Sequence, residues 1–109
     1  MDQPLETLAE YASEAHARIQ RDFAACDPVV GVSRQMRAQG FPADVITLDC
    51  IKSGKRIILI LHDQQPDIVS YQFARRDAEA GDGFDTLPFA QLDADTLYRW
   101  MRDYLAGAG

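Results

Sequence analysis

The residues best suited to acid–base chemistry are His62, Asp63 and Asp67, which surround a turn at the end of an apolar run. A histidine beside carboxylates can exchange protons near neutral pH, and turns that follow rigid strands often hold active-site groups. No serine or cysteine has the neighbourhood expected of an activated nucleophile. We therefore interpret the three residues as an ordinary strand end. The alternative is a small enzyme or metal-dependent protein that uses them.

A second group of ionisable residues is the acidic stripe of Glu6, Glu10 and Glu14, which are spaced four residues apart. On a helix these carboxylates share one face, and a solvated face is the simplest interpretation. The alternative is a contact surface for a basic partner, to which the aromatic residues Tyr11 and Tyr98 would add anchors. These five residues are the interface candidates that the sequence offers.

Carboxylates also recur before the last helix, at Asp77, Glu79, Asp82 and Asp85. Calcium loops place oxygen ligands at alternate positions, but here Gly81 occupies the fifth position of the pattern. Pro88 stands where the closing bidentate glutamate is needed. We therefore expect no metal site and no cofactor. Because residues 75–92 lack any hydrophobic period, we predict a mobile acidic connection there.

Helical periodicity marks both ends of the chain. Asp2 and Pro4 begin a predicted helix of about twenty residues. Its apolar stripe is Leu5, Leu8, Ala12, Ala15, Ile19, Phe23 and Cys26. Near the C-terminus Asp93 caps a second periodic segment. Its apolar face is Leu97, Trp100, Met101, Tyr104 and Leu105, and residues 106–109 are expected to fray.

Between these helices the sequence predicts one short helix and a β-meander. Asp27–Pro28 and Gly40 bound the segment VVGVSRQMRAQ, which we interpret as a short helix although its valines and Gly31 lower helix propensity. The segment VITLDCIKSGKRIILILHDQQPDIVSYQFA then contains three β-rich runs, with turns at Gly54 and Pro66. The outer runs alternate apolar and polar residues, whereas residues 57–61 are apolar on both faces. We expect cover on both sides of this central strand.

Composition and charge restrict the class of protein. The chain has 109 residues, of which 47% are hydrophobic and 26% charged, as expected for one globular domain spanning residues 1–109. The net charge of −6 is concentrated at the ends, with about −4 in residues 1–27 and about −3 in residues 75–109. Nucleic-acid binding needs clustered basic side chains, so we expect no direct DNA or RNA contact.

The N-terminal and cysteine patterns bear on location. The segment MDQPLETLAEY lacks the basic start and apolar run of a signal peptide, and no window approaches the roughly eighteen apolar residues of a membrane span. We expect a cytoplasmic protein without membrane contact. Cys26 and Cys50 are then expected to be reduced core thiols.

The order of a long acidic N-terminal helix, antiparallel strands and a C-terminal helix resembles the frataxin family, and GKRIILILHDQQPDIVSYQFA is similar to that family's strand, proline turn and strand. The chain departs from the family pattern by its extra predicted helix, by the lack of clear later strands and by having no Trp in the third strand. The resemblance implies iron binding through Glu6, Glu10 and Glu14, and a role beside iron–sulfur assembly.

Together these patterns predict an α+β domain. It has a long N-terminal helix, a short second helix, a three-stranded antiparallel β-meander, an acidic loop and a C-terminal amphipathic helix packed on the sheet. The leading functional hypothesis is a non-catalytic interaction or regulatory module. Its expected partner is another, basic protein, or a second copy of the chain.

Overall fold

The computed structural model describes residues 3–22, 28–50, 54–65, 67–75 and 83–105. The helices and turns are α1 (Gln3–Asp22), α2 (Gln35–Ala38), a 3-10 turn (Phe89–Gln91), α3 (Ala94–Trp100) and a π-helical turn (Met101–Leu105). The strands are β1 (Pro28–Ser33), β2 (Ala43–Cys50), β3 (Lys55–His62), β4 (Ile68–Arg75) and β5 (Asp85–Pro88).

The strands form one antiparallel sheet in the order β1-β2-β3-β4-β5. The predicted meander corresponds to β2, β3 and β4, and Gly54 takes a positive φ of 72° between β2 and β3 as its turn requires. The described residues form five strands, so the expectation of three was wrong. Residues 51–53 and Pro66, which complete the two predicted turns, fall outside the described part of the chain.

The long N-terminal helix is confirmed as α1, with 20 residues. Its predicted stripe faces the sheet, because Leu8, Ala12, Ala15 and Ile19 are completely buried. The small alanines let the helix approach the strands closely, while the acidic face turns away from the core. Phe23 and Cys26, the last members of the stripe, are not among the residues described.

The predicted short helix was wrong over its first half. Residues 28–33 form strand β1, and only Gln35–Ala38 is helical. Valine and glycine disfavour a helix, whereas β-branched side chains pack well when the segment pairs with β2 as a strand. Pro28 is tolerated because it begins an edge strand, where a missing N–H costs little. Gly40 ends the α2 segment with a φ of 98°.

The expected connection at residues 75–92 also needs correction. Asp85–Pro88 pairs with β4 as strand β5, and a 3-10 turn follows at Phe89–Gln91. A strand of 4 residues is too short to show a hydrophobic period, and Pro88 hides it further. Residues 76–82 and 106–109, which were expected to be mobile or frayed, are outside the described ranges.

The C-terminal helix begins as predicted. The Asp93 carboxylate accepts a hydrogen bond of 2.8 Å from the Thr96 backbone N–H, which satisfies one of the donors at the helix start. Leu97, Met101 and Leu105 are buried in the core. The helical path therefore continues through the π-helical turn because its apolar face remains packed on the sheet.

Both long helices pack on the same face of the sheet. The core joins Leu8 and Ile19 of α1 and Leu97 of α3 to Leu48 and Leu59 of the sheet. The opposite face is not covered by these helices. Ile58 is nevertheless buried there and Ile60 is partly buried, because both lie between side chains of the neighbouring strands. The central strand is therefore covered by the helices on one face and by side chains of the neighbouring strands on the other.

Candidate functional site: the exposed edge of strand β1

Exposed apolar side chains are concentrated in one part of the described chain. Among the described residues, the large hydrophobic side chains that remain exposed are Val29 (50%), Val32 (50%), Phe41 (59%) and Phe73 (44%). Three of these four lie within residues 29–41. Phe73 differs from the others because it packs between two aromatic rings, with centroids 5.5 Å from Trp100 and 5.1 Å from Tyr104. Val29 and Val32 lie on strand β1.

Strand β1 forms one outer edge of the sheet, with β2 as its neighbour. Its sequence, PVVGVS, contains no charge. In an edge strand every second residue points its backbone N–H and C=O groups away from the sheet, where another strand can pair with them. Charged side chains and prolines usually protect such an edge, and β1 has neither after its first residue, Pro28. We call residues 29–33 the β1 edge.

The first residue of β1 is attached to helix α1. The His16 imidazole Nε2 donates a hydrogen bond to the Pro28 carbonyl oxygen. Pro28 has no backbone N–H, so both of its main-chain groups are already excluded from pairing with an added strand. The surface open for pairing therefore begins at Val29.

The opposite edge of the sheet is protected. Strand β5 has 4 residues, begins with the charged Asp85 and ends with Pro88. A short strand with a charge and a proline is a poor template for strand addition. The 3-10 turn Phe89–Gln91 follows directly and ends the strand. The two edges of the sheet therefore differ strongly in their capacity to bind another strand.

A network of ion pairs fixes the end of the sheet next to the β1 edge. The Arg37 guanidinium lies between Asp44 of β2 and Asp63, with Nη2 at 2.9 Å from Asp44 Oδ2 and 2.7 Å from Asp63 Oδ1. Arg34 Nε also lies 3.4 Å from Asp44 Oδ1. Hydrogen bonds from Arg37 lower the pKa of both carboxyl groups. The network therefore holds α2 against β2 and keeps the turn after β1 in place.

The open face of the sheet is partly polar. Arg56 and Asp49 lie opposite each other on β3 and β2 and form a bidentate pair, with Nε–Oδ1 and Nη2–Oδ2 distances of 2.8 and 3.0 Å. Hydrogen bonding to Asp49 raises the pKa of Arg56. Thr47 and Gln72 flank Ile58 in the same row. This face therefore places an ion pair and polar side chains beside its apolar ones, whereas the β1 edge contains no charge.

The predicted acid–base residues have separate surroundings. His62 is partly buried at the end of β3, and Asp67 is exposed before β4. The Asp63 carboxylate binds Arg37 through both oxygens, at 2.7 and 2.8 Å. A carboxylate engaged by a guanidinium is a weak proton acceptor, because its pKa is lowered. Arg37, rather than His62, is thus the charged partner that the fold gives to Asp63.

The predicted interface residues lie on or beside the helices. Glu6, Glu10 and Glu14 are exposed along α1, and Tyr11 is partly buried against the core. Tyr98 lies between the helices: its hydroxyl donates to Asp22 at 2.8 Å, and the Arg18 guanidinium lies 4.1 Å from its ring centroid. Tyr98 is therefore occupied in a contact between α1 and α3.

The described residues contain neither a cluster suited to a metal ion nor a helix suited to crossing a membrane. No group of three or more His, Cys, Asp or Glu side chains in that part of the chain is arranged to hold a metal ion. None of the helices described has the length and apolar character that a bilayer crossing needs. Cys50 is buried in β2, and Cys26 lies outside the described residues.

Sequence reasoning missed the β1 edge because it assigned those residues to a helix. The useful signal was present: three of the four residues 29–32 are β-branched valines, which are typical of a strand. The segment lacked the alternation of polar and apolar residues that would have indicated a strand with one buried face.

Comparison of the chain with protein-family models, with curated proteins and with solved structures finds no match.

Proposed function

We propose that this protein is a non-catalytic interaction module that binds an extended polypeptide by adding it as a strand to the β1 edge. The observation that carries the proposal is an uncharged edge strand on which Val29 and Val32 are each 50% exposed. Strand addition gains affinity from main-chain hydrogen bonds and specificity from alternate side chains. The proposed location is the cytoplasm, as the sequence patterns led us to expect.

The position of the two valines supports this mode of binding. Residues of opposite parity point to opposite faces of a strand, so Val29 and Val32 lie on the two sides of the sheet plane. An added strand would therefore contact an apolar side chain on each side of its backbone. Burying these groups would supply about 25 cal/mol per Å² of apolar surface before the costs of association.

The Arg37 network supports the proposal because it helps to hold strand β1 rigid. Binding by strand addition is tighter when the receiving strand is already ordered, because less conformational entropy is then lost. Strand β1 pairs with β2 along all 6 of its residues, and Arg37 and Arg34 hold the α2 segment that follows it to Asp44. The edge is thus held in an extended conformation before any partner arrives.

The experiment compares edge variants in capture from a lysate of the source cells. Val29→Lys and Val32→Lys place a charge on the β1 edge, and Thr86→Lys is the matched control on the exposed, opposite strand β5. We expect quantitative mass spectrometry to show at least one protein, which can be the chain itself, retained by the wild type and the control but lost by both edge variants. Identical sets of proteins for all four baits, with unchanged circular dichroism, would overturn the proposal.

A further inference from the structure

We propose that the strand bound by the β1 edge is the β1 edge of a second copy of this chain. This inference rests on the proposed function and names its partner. The two β1 strands would pair antiparallel about a two-fold axis perpendicular to the sheet, and the two sheets would become continuous. In such an isologous contact the same surface is used on both copies, so it must complement itself.

The residues of β1 select one register for this pairing. Directly opposite residues of antiparallel strands point to the same face of the sheet. Because the two-fold axis keeps every residue on its own face, the residue at the axis must lie opposite its own symmetry mate. With Gly31 on the axis, Val30 faces Val32 of the other copy and Val29 faces Ser33. A Val30-centred register would instead use Pro28 in the ladder. Pro28 lacks an N–H, and its carbonyl already binds His16.

The Gly31-centred register also covers the exposed valines. Each Val32 would face Val30 of the other copy, so this pair occurs twice in the dimer, once on each side of the axis. A pair of β-branched residues directly opposite each other is favourable in antiparallel sheets.

Charge favours contact at this place over the rest of the surface. The chain carries a net charge of −6, so two copies repel each other wherever their acidic surfaces approach. Strand β1 contains no charge, and it belongs to the middle segment 28–74, whose net charge is about +1. The β1 edge is therefore a place where self-association escapes most of this repulsion.

The difference between the two edges limits the assembly to a dimer. Each copy presents one edge that can accept a strand and one edge, β5, that is protected by Asp85 and Pro88. Pairing of β1 with β1 uses up both accepting edges, so the assembly is closed. An uncovered apolar edge is otherwise a site of aggregation, and pairing removes that hazard.

The test is analytical ultracentrifugation of the full chain over a concentration series, at low and high salt. We expect the wild type and Thr86→Lys to form dimers whose dissociation constant falls as salt screens the acidic repulsion. A basic protein partner would show the opposite salt dependence. Val29→Lys and Val32→Lys are each expected to raise the dissociation constant by about tenfold or more, since each buries a charge in the contact. Circular dichroism checks that both variants fold.

Cysteine cross-linking tests the register in a Cys26→Ser background. In the proposed pairing residue 29 of one copy lies opposite residue 33 of the other, within reach of a disulfide. Residue 29 is about 13 Å from its own symmetry mate. A mixture of Val29→Cys and Ser33→Cys chains should therefore cross-link under mild oxidation, and either chain alone should not.

The outcomes separate this inference from the proposed function. A wild-type monomer at all concentrations overturns the second-copy inference, and the proposed function then survives if edge variants still lose a different protein. A dimer that both lysine variants leave intact also overturns the inference, because the contact must then lie elsewhere. If the edge variants alter neither self-association nor capture, both proposals are wrong.

Discussion

Arg37 and Asp44 form a bidentate ion pair, with Nε 3.1 Å from Oδ1 and Nη2 2.9 Å from Oδ2. Asp44 is only 4% exposed, so its charge depends on these hydrogen bonds for compensation. Arg37 belongs to the short helix α2 and Asp44 to strand β2. The pair therefore anchors the segment that joins the two outermost strands on the β1 side of the sheet.

The first prediction concerns Asp44 and acid. Asp44→Asn removes the charge that receives the Arg37 hydrogen bonds, and we expect it to reduce the free energy of unfolding at pH 7 by about 1–3 kcal/mol. Hydrogen bonding from Arg37 lowers the pKa of Asp44 in the folded protein. Its stabilising contribution is therefore complete above the ordinary aspartate pKa of about 3.9 and is lost as the pH falls through the lowered value.

Urea unfolding at a series of pH values measures this contribution. The difference in stability between wild type and Asp44→Asn should be constant above about pH 5 and shrink as the pH falls below about 4. Asp85→Asn is the control, because it removes an exposed carboxylate from the opposite edge. A difference that does not change with pH would show that the ion pair is not the source of the stabilisation.

The second prediction compares the two faces of strand β3. Leu59 is completely buried under the helices, whereas its neighbour Ile60 is partly buried on the open face. We expect Leu59→Ala to cost about 3 kcal/mol, from lost transfer free energy and a cavity, and Ile60→Ala to cost about 1 kcal/mol. Chemical denaturation followed through Trp100 fluorescence measures both, and each variant serves as the control for the other. Equal losses would indicate that the open face is covered in solution.

That comparison also bears on the proposed dimer. Pairing through the β1 edge extends the sheet sideways and leaves the open face as it is. Ile60→Ala should therefore leave the dissociation constant of the dimer unchanged. A large increase in that constant would place the contact between copies on the open face instead.

The third prediction concerns Tyr98 and alkali. Its hydroxyl donates to the Asp22 carboxylate, and this hydrogen bond raises the pKa of Tyr98 above the usual value for tyrosine. The stabilising contribution is complete below about pH 10 and is lost as the pH rises through the raised pKa. In Asp22→Asn the acceptor charge is gone, so Tyr98 should titrate closer to pH 10.

Nuclear magnetic resonance of carbon-13-labelled tyrosine resolves this titration. The Tyr98 resonance is assigned by its absence from the Tyr98→Phe spectrum. That variant also keeps the ring beside Arg18, so it removes the hydroxyl contact while retaining the cation–π contact. A Tyr98 that ionises at the same pH in wild type and Asp22→Asn would contradict the hydrogen bond by which Tyr98 of α3 contacts Asp22 of α1.

Parts of the fold followed from local patterns. The stripe of Leu8, Ala12, Ala15 and Ile19 has the helical period, and all four residues are buried. The Asp93 cap has the predicted contact with the backbone of Thr96. The alternation in β2 and β4, the continuous apolar run of β3 and the turn residues between them specified the meander. In each case the residues that decide the structure are close together in the sequence.

The candidate site was not predictable in the same way. The valines of residues 28–33 favour a strand, whereas the signals that bound this segment are typical of a short helix. The pairing of Val30 with Leu48 and of Val32 with Ile46 decided for the strand. Likewise the alternative interpretation grouped Asp63 with His62, its neighbour in sequence. Arg37, 26 residues away, binds it instead.

By itself the sequence determined that this chain is an acidic α+β domain with helices at both ends and a meander between them, because hydrophobic periods of 3.6 and 2 are local properties. Only the tertiary structure decided that β1 and β5 join the sheet, that both long helices share one face, and that one edge is left apolar and uncharged. Strand pairing and the covering of a face depend on residues far apart in the chain. The exposed β1 edge, on which the functional proposals rest, is therefore a property of the folded sheet.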